Sequence, residues 1–165
     1  MRTLPVLAIS MLLGACGATR YTPNADRPFE PIPEFTSTNQ VTLRNAEPST
    51  EEVDTGHWLV DRNAWTKVAI EIAARELKQR GMTVVDGAPK VLDMAIVTCT
   101  TESGWVKITT QVVMRVKTGD GYEATYTGVN SSAMAANVRR QVDGAMMRVV
   151  VEMLKDPKIV AWLTH

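Results

Sequence analysis

Apolar positions recur along this chain at two periods, and the switches between them mark the expected elements. Trp65, Val68, Ala69, Ile72, Ala73 and Leu77 fall three and four apart, while Lys67, Glu71, Arg75 and Lys78 turn outward. That spacing predicts a surface helix with one buried stripe over residues 63–80, capped within Asp61-Arg62-Asn63 and closed by Lys78, Arg80 and Gly81. A second stripe, Val138, Val142, Ala145, Met146, Val149, Val150, Met153 and Leu154, predicts a long helix capped by Asn137, with Arg139, Arg140, Asp143 and Glu152 facing away. Asp156-Pro157 then supplies an N-cap and first-turn proline for a closing turn over 158–163, whose Ile159, Val160, Trp162 and Leu163 need a surface to bury against.

The period of two appears elsewhere. Residues 40–45 alternate and stop before Glu47-Pro48, and Thr83-Val84-Val85 follows the first helix directly. Residues 91–101 form a longer strand, with a hairpin loop expected at Glu102-Ser103-Gly104. Val106, Ile108, Thr110, Val112, Met114 and Val116 then share one face, against Lys107, Thr109, Gln111, Arg115 and Lys117 on the other. Gly119-Asp120-Gly121 suits a tight turn into residues 122–127. Ser49 to Gly56 reads as an acidic loop. The order strand, helix, strand, three-strand meander, helix implies an α+β single domain over 39–165: a mainly antiparallel sheet of four to five strands with two long helices on one face. Strand order within the sheet is open at this level.

Ahead of that domain the pattern is different. Residues 17–34 carry Pro23, Pro28, Pro31 and Pro33 without apolar periodicity, so 16–38 is expected to be a Pro-rich tether with a reach on the order of 20 to 30 Å. The first 15 residues have signal-peptide form. Arg2 precedes an apolar run from Leu4 to Leu13, interrupted only by Pro5 and Ser10 and ended by the small residues Gly14 and Ala15. A run of about ten residues falls short of the roughly 20 that cross a bilayer as a helix.

Leu13-Gly14-Ala15-Cys16 resembles, at all four positions, the lipobox of bacterial lipoproteins. The resemblance implies cleavage between Ala15 and Cys16, a diacylglyceryl thioether on the Cys16 thiol and an acyl chain on the new amino terminus. One acyl chain binds a membrane marginally and reversibly, whereas two or three on one residue hold it stably. Gly17 stands where inner-membrane-retained lipoproteins of enteric bacteria carry Asp, which by that analogy directs the protein to the outer membrane, facing the periplasm.

Composition adds mainly exclusions. Eighteen basic residues balance 18 acidic ones, so no long-range field favours nucleic acid as a partner. The chain has two histidines, His57 and His165, and no glycine-rich phosphate loop, so neither a metal site nor a nucleotide cofactor is expected. Ser103, Ser131 and Ser132 lack an elbow context and an identifiable base. No catalytic residue is therefore assigned and no enzymatic activity is expected.

Three weaker features compete with blander readings. Cys99, the thiol that remains if Cys16 is lipidated, is either a half-buried strand residue or a reactive group, and the first is preferred. Lys107, Arg115 and Lys117 form either a solvated sheet face, the preferred reading, or a site for an anionic headgroup or glycan. Gly56-His57-Trp58-Leu59 places a tryptophan either in the core, again preferred, or in an exposed contact.

The chain as a whole resembles the YajG-like family of small bacterial lipoproteins. The resemblance runs through Cys16, through Leu77-Lys78-Gln79-Arg80-Gly81 with its following apolar strand, and through Tyr122-Glu123-Ala124-Thr125-Tyr126. It extends over Asn137 to Leu154 and the closing Asp156-Pro157-Lys158-Ile159-Val160-Ala161-Trp162-Leu163, and departs in a shorter segment between first strand and first helix. It implies a location and a fold but no activity. The expected role is a membrane-anchored envelope lipoprotein binding an envelope protein or cell-wall component; the alternative is an accessory lipoprotein of lipid or lipopolysaccharide transport. Oligomeric state is open.

Overall fold

The computed structural model describes residues 18–26, 31–55, 57–133 and 138–165. The processing signal, Cys16 and the Asn137 cap lie outside these residues.

The architecture is α+β, with two sheets and three helices among the described residues. The strands of the described residues run in the order β1 (Thr19–Arg20), β2 (Gln40–Asn45), β3 (Glu52–Asp54), β4 (Trp58–Asp61), β5 (Thr83–Val84), β6 (Lys90–Ser103), β7 (Ile108–Thr118) and β8 (Glu123–Ser132). Helix α1 (Arg62–Gln79) lies between β4 and β5, and α2 (Val138–Lys155) and α3 (Pro157–Thr164) follow β8. The main sheet has the order β5-β2-β6-β7-β8, parallel across β5-β2-β6 and antiparallel across the two long hairpins β6-β7 and β7-β8.

Both long helices pack on the main sheet, α1 over β2 and β6 and α2 over β7 and β8. The α1 stripe from Trp65 to Leu77 is buried as its spacing requires, and Asp61 caps the helix by accepting from the Ala64 amide at 2.9 Å. The α2 stripe meets it in one core with Val41, Leu92, Met94, Ile96, Val112, Met114 and Val116 from the sheet. Helix α3, capped by Asp156, buries Ile159 and Leu163 against that core.

One irregularity in β6 decides where Cys99 points. Ile96 pairs with Met114 and Thr98 with Val113, so Val97 is an extra residue and the strand changes phase there. Ile96 and Cys99 both face the core although an odd step separates them, and Val97 is left exposed. The Ile96 amide donates to Oγ1 of Thr66 at 2.9 Å, so a buried threonine on α1 satisfies the backbone at the bulge.

Three expectations are corrected by the fold. The acidic stretch 49–56 contains β3, which pairs antiparallel with β4; β1 adds on β4's other side in parallel, making a second, three-stranded sheet. The hairpin after β6 turns at residues 104–107, two residues later than alternation suggests, so Val106 and Lys107 belong to the turn and Val106 is exposed. The third concerns 18–38, expected as a free tether. Its described residues lie against the domain, with Tyr21, Ala25, Ile32 and Phe35 packed on the core. Their intervals of four, seven and three residues would suit a helix, but Pro23, Pro28, Pro31 and Pro33 rule one out, so the segment reads as a tether although its apolar side chains find the core.

Candidate functional site

The docked N-terminal segment passes from α2 and the start of α1 to the C-terminal end of α1, using both helices as partners. The indole N–H of Trp65 donates to the Tyr21 carbonyl at 2.8 Å. Tyr21 donates its hydroxyl to Oδ1 of Asp143 on α2 at 2.6 Å, and the Asn24 amide donates to the same oxygen at 2.9 Å. Arg75 then donates to the Ala25 carbonyl at 2.6 Å, the Ser37 amide to the Arg80 carbonyl at 3.0 Å, and Asn39 Nδ2 to the Leu163 carbonyl at 2.8 Å. Asp143 was expected to face solvent; it is 2% exposed because this strap covers it. A carboxylate at that depth needs donors, and the strap supplies them.

At the strap's beginning three segments converge. The Thr19 amide donates to the His57 carbonyl at 3.3 Å, and the His57 ring Nε2 lies 2.9 Å from Oγ of Ser103, the last residue of β6. Residues 104–107 follow as the β6-β7 turn, closed by the Gly104 amide donating to the Lys107 carbonyl at 2.8 Å. On this turn Trp105 is fully exposed and Val106 is 75% exposed. Trp58, next to His57, is buried and packs against Tyr21 in a tilted arrangement, ring centroids 5.1 Å apart and planes at 40°, which fits the core reading. Alternation gave no sign that the tryptophan at 105 stands clear of the protein.

The basic residues separate. Lys107 is in the turn, whereas Arg115 and Lys117 remain on the open face of β7 with Asp93, Ala95 and Glu123, around a cleft of about 220 Å³. Acidic partners neutralise much of this face: Arg44 donates to Asp93 Oδ2 at 2.7 Å and Arg115 lies 3.9 Å from Glu123. A larger cleft of about 590 Å³ lies where the strap meets the end of α1, lined by Ser37, Asn39, Gln79, Arg80 and Thr164 among others. The residues that line it are polar in type, with their carbon atoms making up about half of its wall. Cys99 is buried, and that burial pushes its thiol up to about 12. A strand residue in the core is the reading this supports.

The serines fall in different places. Ser103 meets His57 on an exposed hairpin base, while Ser131 Oγ lies 3.1 Å from Thr109 Oγ1 on the open sheet face. The predicted lipidation and cleavage residues, Cys16 and Ala15, are outside the described residues, and Cys16 lies three positions before Thr19.

No family model matches the chain, and no curated protein matches it. Solved structures do resemble it. Protein XCC0632 from Xanthomonas campestris, assigned to the family model DUF330, aligns with TM-score 0.44 and 14% identity over 88% of this chain and 90% of its own. The hypothetical protein CT253 from Chlamydia trachomatis aligns with TM-score 0.48 and 14% identity, covering 76% and 95%. A minor lipoprotein from Acinetobacter baumannii aligns with TM-score 0.40 and 12% identity, covering 78% and 92%. None of these three is named as a YajG-like protein.

Proposed function

We propose that the chain is a lipid-anchored lipoprotein of the bacterial envelope whose α+β domain acts as a non-enzymatic binding module. The observation that carries this is Leu13-Gly14-Ala15-Cys16 at the end of a short apolar run, with a folded domain beginning within three residues of the cysteine. On this reading residues 1–15 are removed, Cys16 carries diacylglycerol and an N-acyl chain, and the protein sits at the outer membrane facing the periplasm. Among the described residues no helix is long and apolar enough to cross a membrane, and on this reading the acyl chains supply the attachment.

Non-enzymatic binding is supported by where the polar chemistry lies. The Ser103 and His57 pair is exposed, and the clefts described above are lined by polar side chains and backbone rather than by a convergent nucleophile and base. Both clefts are open to solvent, which favours contact with a protein or glycan over the enclosed apolar cavity that withdrawal of an acyl chain in lipid or lipopolysaccharide transport would need.

Two measurements test the reading. Intact mass of the purified N-terminal peptide is expected to show acyl chains on Cys16, and Cys16→Ser is expected to move the protein out of the membrane fraction. Crosslinking in intact envelopes followed by purification is expected to recover a protein or wall fragment. Recovery of the chain alone, or an unmodified Cys16, would overturn the corresponding half.

A further inference from the structure

We propose that the β6-β7 turn, Gly104 to Lys107, is a second, noncovalent membrane contact, in which Trp105 and Val106 enter the interfacial layer of the phospholipid bilayer that holds the acyl chains of Cys16. The proposal rests on the lipid-anchor reading and adds an orientation to it.

The length of chain between anchor and fold sets the constraint. With 18–26 docked, only residues 17 and 18 separate Cys16 from Thr19, and three residue steps span at most about 11 Å. A free tether over 16–38 would have left the domain's orientation open; this short one does not. The part of the domain nearest Thr19 must lie within about that distance of the lipid surface.

What lies next to Thr19 is the turn. Thr19 bonds to His57 and His57 reaches Ser103, the residue immediately before Gly104. The exposed pair Trp105 and Val106 therefore stands beside the point where the chain reaches the membrane. Nothing in the fold requires a tryptophan there, since it covers no part of the core. A bilayer interface suits the trio chemically: an indole is amphipathic and partitions to headgroup level, valine adds apolar area, and Lys107 keeps its ammonium among anionic phosphates while its stem lies along them. The strand directions fix the rest of the pose. Residue Lys90 starts β6 some 13 positions back, on the order of 40 Å away, so Trp162 and α3, which Lys90 contacts through the Trp162 carbonyl, would point into the periplasm. The polar cleft at Ser37, Asn39 and Thr164 would then be presented away from the lipid.

The test uses the full, lipidated chain in vesicles of phosphatidylethanolamine and phosphatidylglycerol. Val106→Cys and, separately, Asp120→Cys on the opposite hairpin are labelled with a polarity-sensitive fluorophore; the buried Cys99 stays unlabelled. We expect the probe at 106 to shift to the blue on reconstitution and to be quenched several-fold by lipids brominated near the headgroup, with the probe at 120 unchanged. In unlabelled protein, Trp105→Phe is expected to remove most of the bromolipid quenching of tryptophan fluorescence. A probe at 106 that still reads water on protein that floats with the vesicles overturns the membrane contact and leaves the anchor standing. A probe that is wet in vesicles but shielded in whole envelopes overturns it in favour of a protein partner. Protein that lacks acyl mass on Cys16 and does not float overturns both.

Discussion

Tyr21 donates its hydroxyl to the carboxylate of Asp143 at 2.6 Å across 122 positions of sequence, and this bond ties the N-terminal strap to α2. The Asn24 amide shares the same oxygen, so one buried carboxylate holds two points of the strap. A hydrogen bond to a charged group contributes roughly 1.5–3 kcal/mol, and Tyr21→Phe is expected to cost about that much. Asp143→Ala should cost more, because it leaves the phenol and the Asn24 amide without that acceptor. Urea unfolding of both variants and of the double mutant gives the coupling directly; a double mutant whose losses simply add would contradict the pairing. Limited proteolysis should cut between residues 18 and 38 faster in either variant while α1 stays protected.

Gly128 on β8 marks the closest approach of sheet and helix. A Cβ placed there would stand 2.1 Å from the Ala145 carbonyl oxygen and 2.4 Å from the Val149 nitrogen, both backbone atoms of α2. Neither can rotate away, so Gly128→Ala forces α2 off the sheet and is expected to destabilise by more than about 3 kcal/mol. Gly144 makes the complementary approach from α2, but a Cβ there meets the Asn130 side chain, with Nδ2 at 2.0 Å. Asn130 can swing aside at the cost of its bonds to the Arg140 and Gln141 carbonyls, which is about 1 kcal/mol. Thermal melts that rank the two substitutions in the opposite order would refute this account.

These two regions show what patterning along the chain can and cannot reveal. The stripes of α1 and α2 and the strand over 40–45 were legible because each turns its apolar positions to the same core, which leaves a period in the sequence. The strap is an extended, proline-broken segment whose contacts with two helices follow no regular element, so 18–38 reads as a tether and Asp143, on the face of α2 that the strap covers, reads as a solvent residue. The turn at 104–107 escaped detection differently: Val106 continues the alternation of β7, and the phase of a pattern does not say where pairing stops. Cys16 was legible only as a motif, while Trp105 needed the fold, since tryptophans are as a rule well covered.

Asp156 predicts an acid-sensitive C-terminus. Burial raises its proton affinity, but hydrogen bonds from Tyr126 at 2.6 Å and Tyr122 at 2.8 Å, with the Lys158 amide, outweigh it and hold the carboxyl below its usual range. A depressed carboxylate contributes stability that is present above its unfolded value of about 3.9 and is lost as pH falls through the lower folded value. Tyr126 itself is raised well above 10, first by burial and then by Asp156, so its contribution is complete at neutral pH and lost only in strong alkali. Tyr126→Phe should therefore be less stable than the wild type at pH 6, with the gap closing as pH drops below 3.9. A gap that stays constant into acid would show that the phenol acts through packing and not through the carboxylate.

Cys99 offers a clock for opening of the core. Its side chain is buried beside Ile96 and Val112, and its thiol is pushed up to about 12 because the thiolate would lose its hydration there. At pH 8 only about one molecule in ten thousand would then carry a thiolate, and the reagent must also reach it. Iodoacetamide should leave folded protein unmodified over hours and label it promptly in urea. Because the sulfur lies on the helix-covered face of the sheet, the helices have to lift away before it is reached, and labelling under native conditions should follow that opening of the core. Gly128→Ala, which pries α2 from that sheet, is expected to speed labelling by at least tenfold, while Tyr21→Phe, which releases only the strap, should change it far less. Equal acceleration by both would mean that the strap and the core open together as one unit.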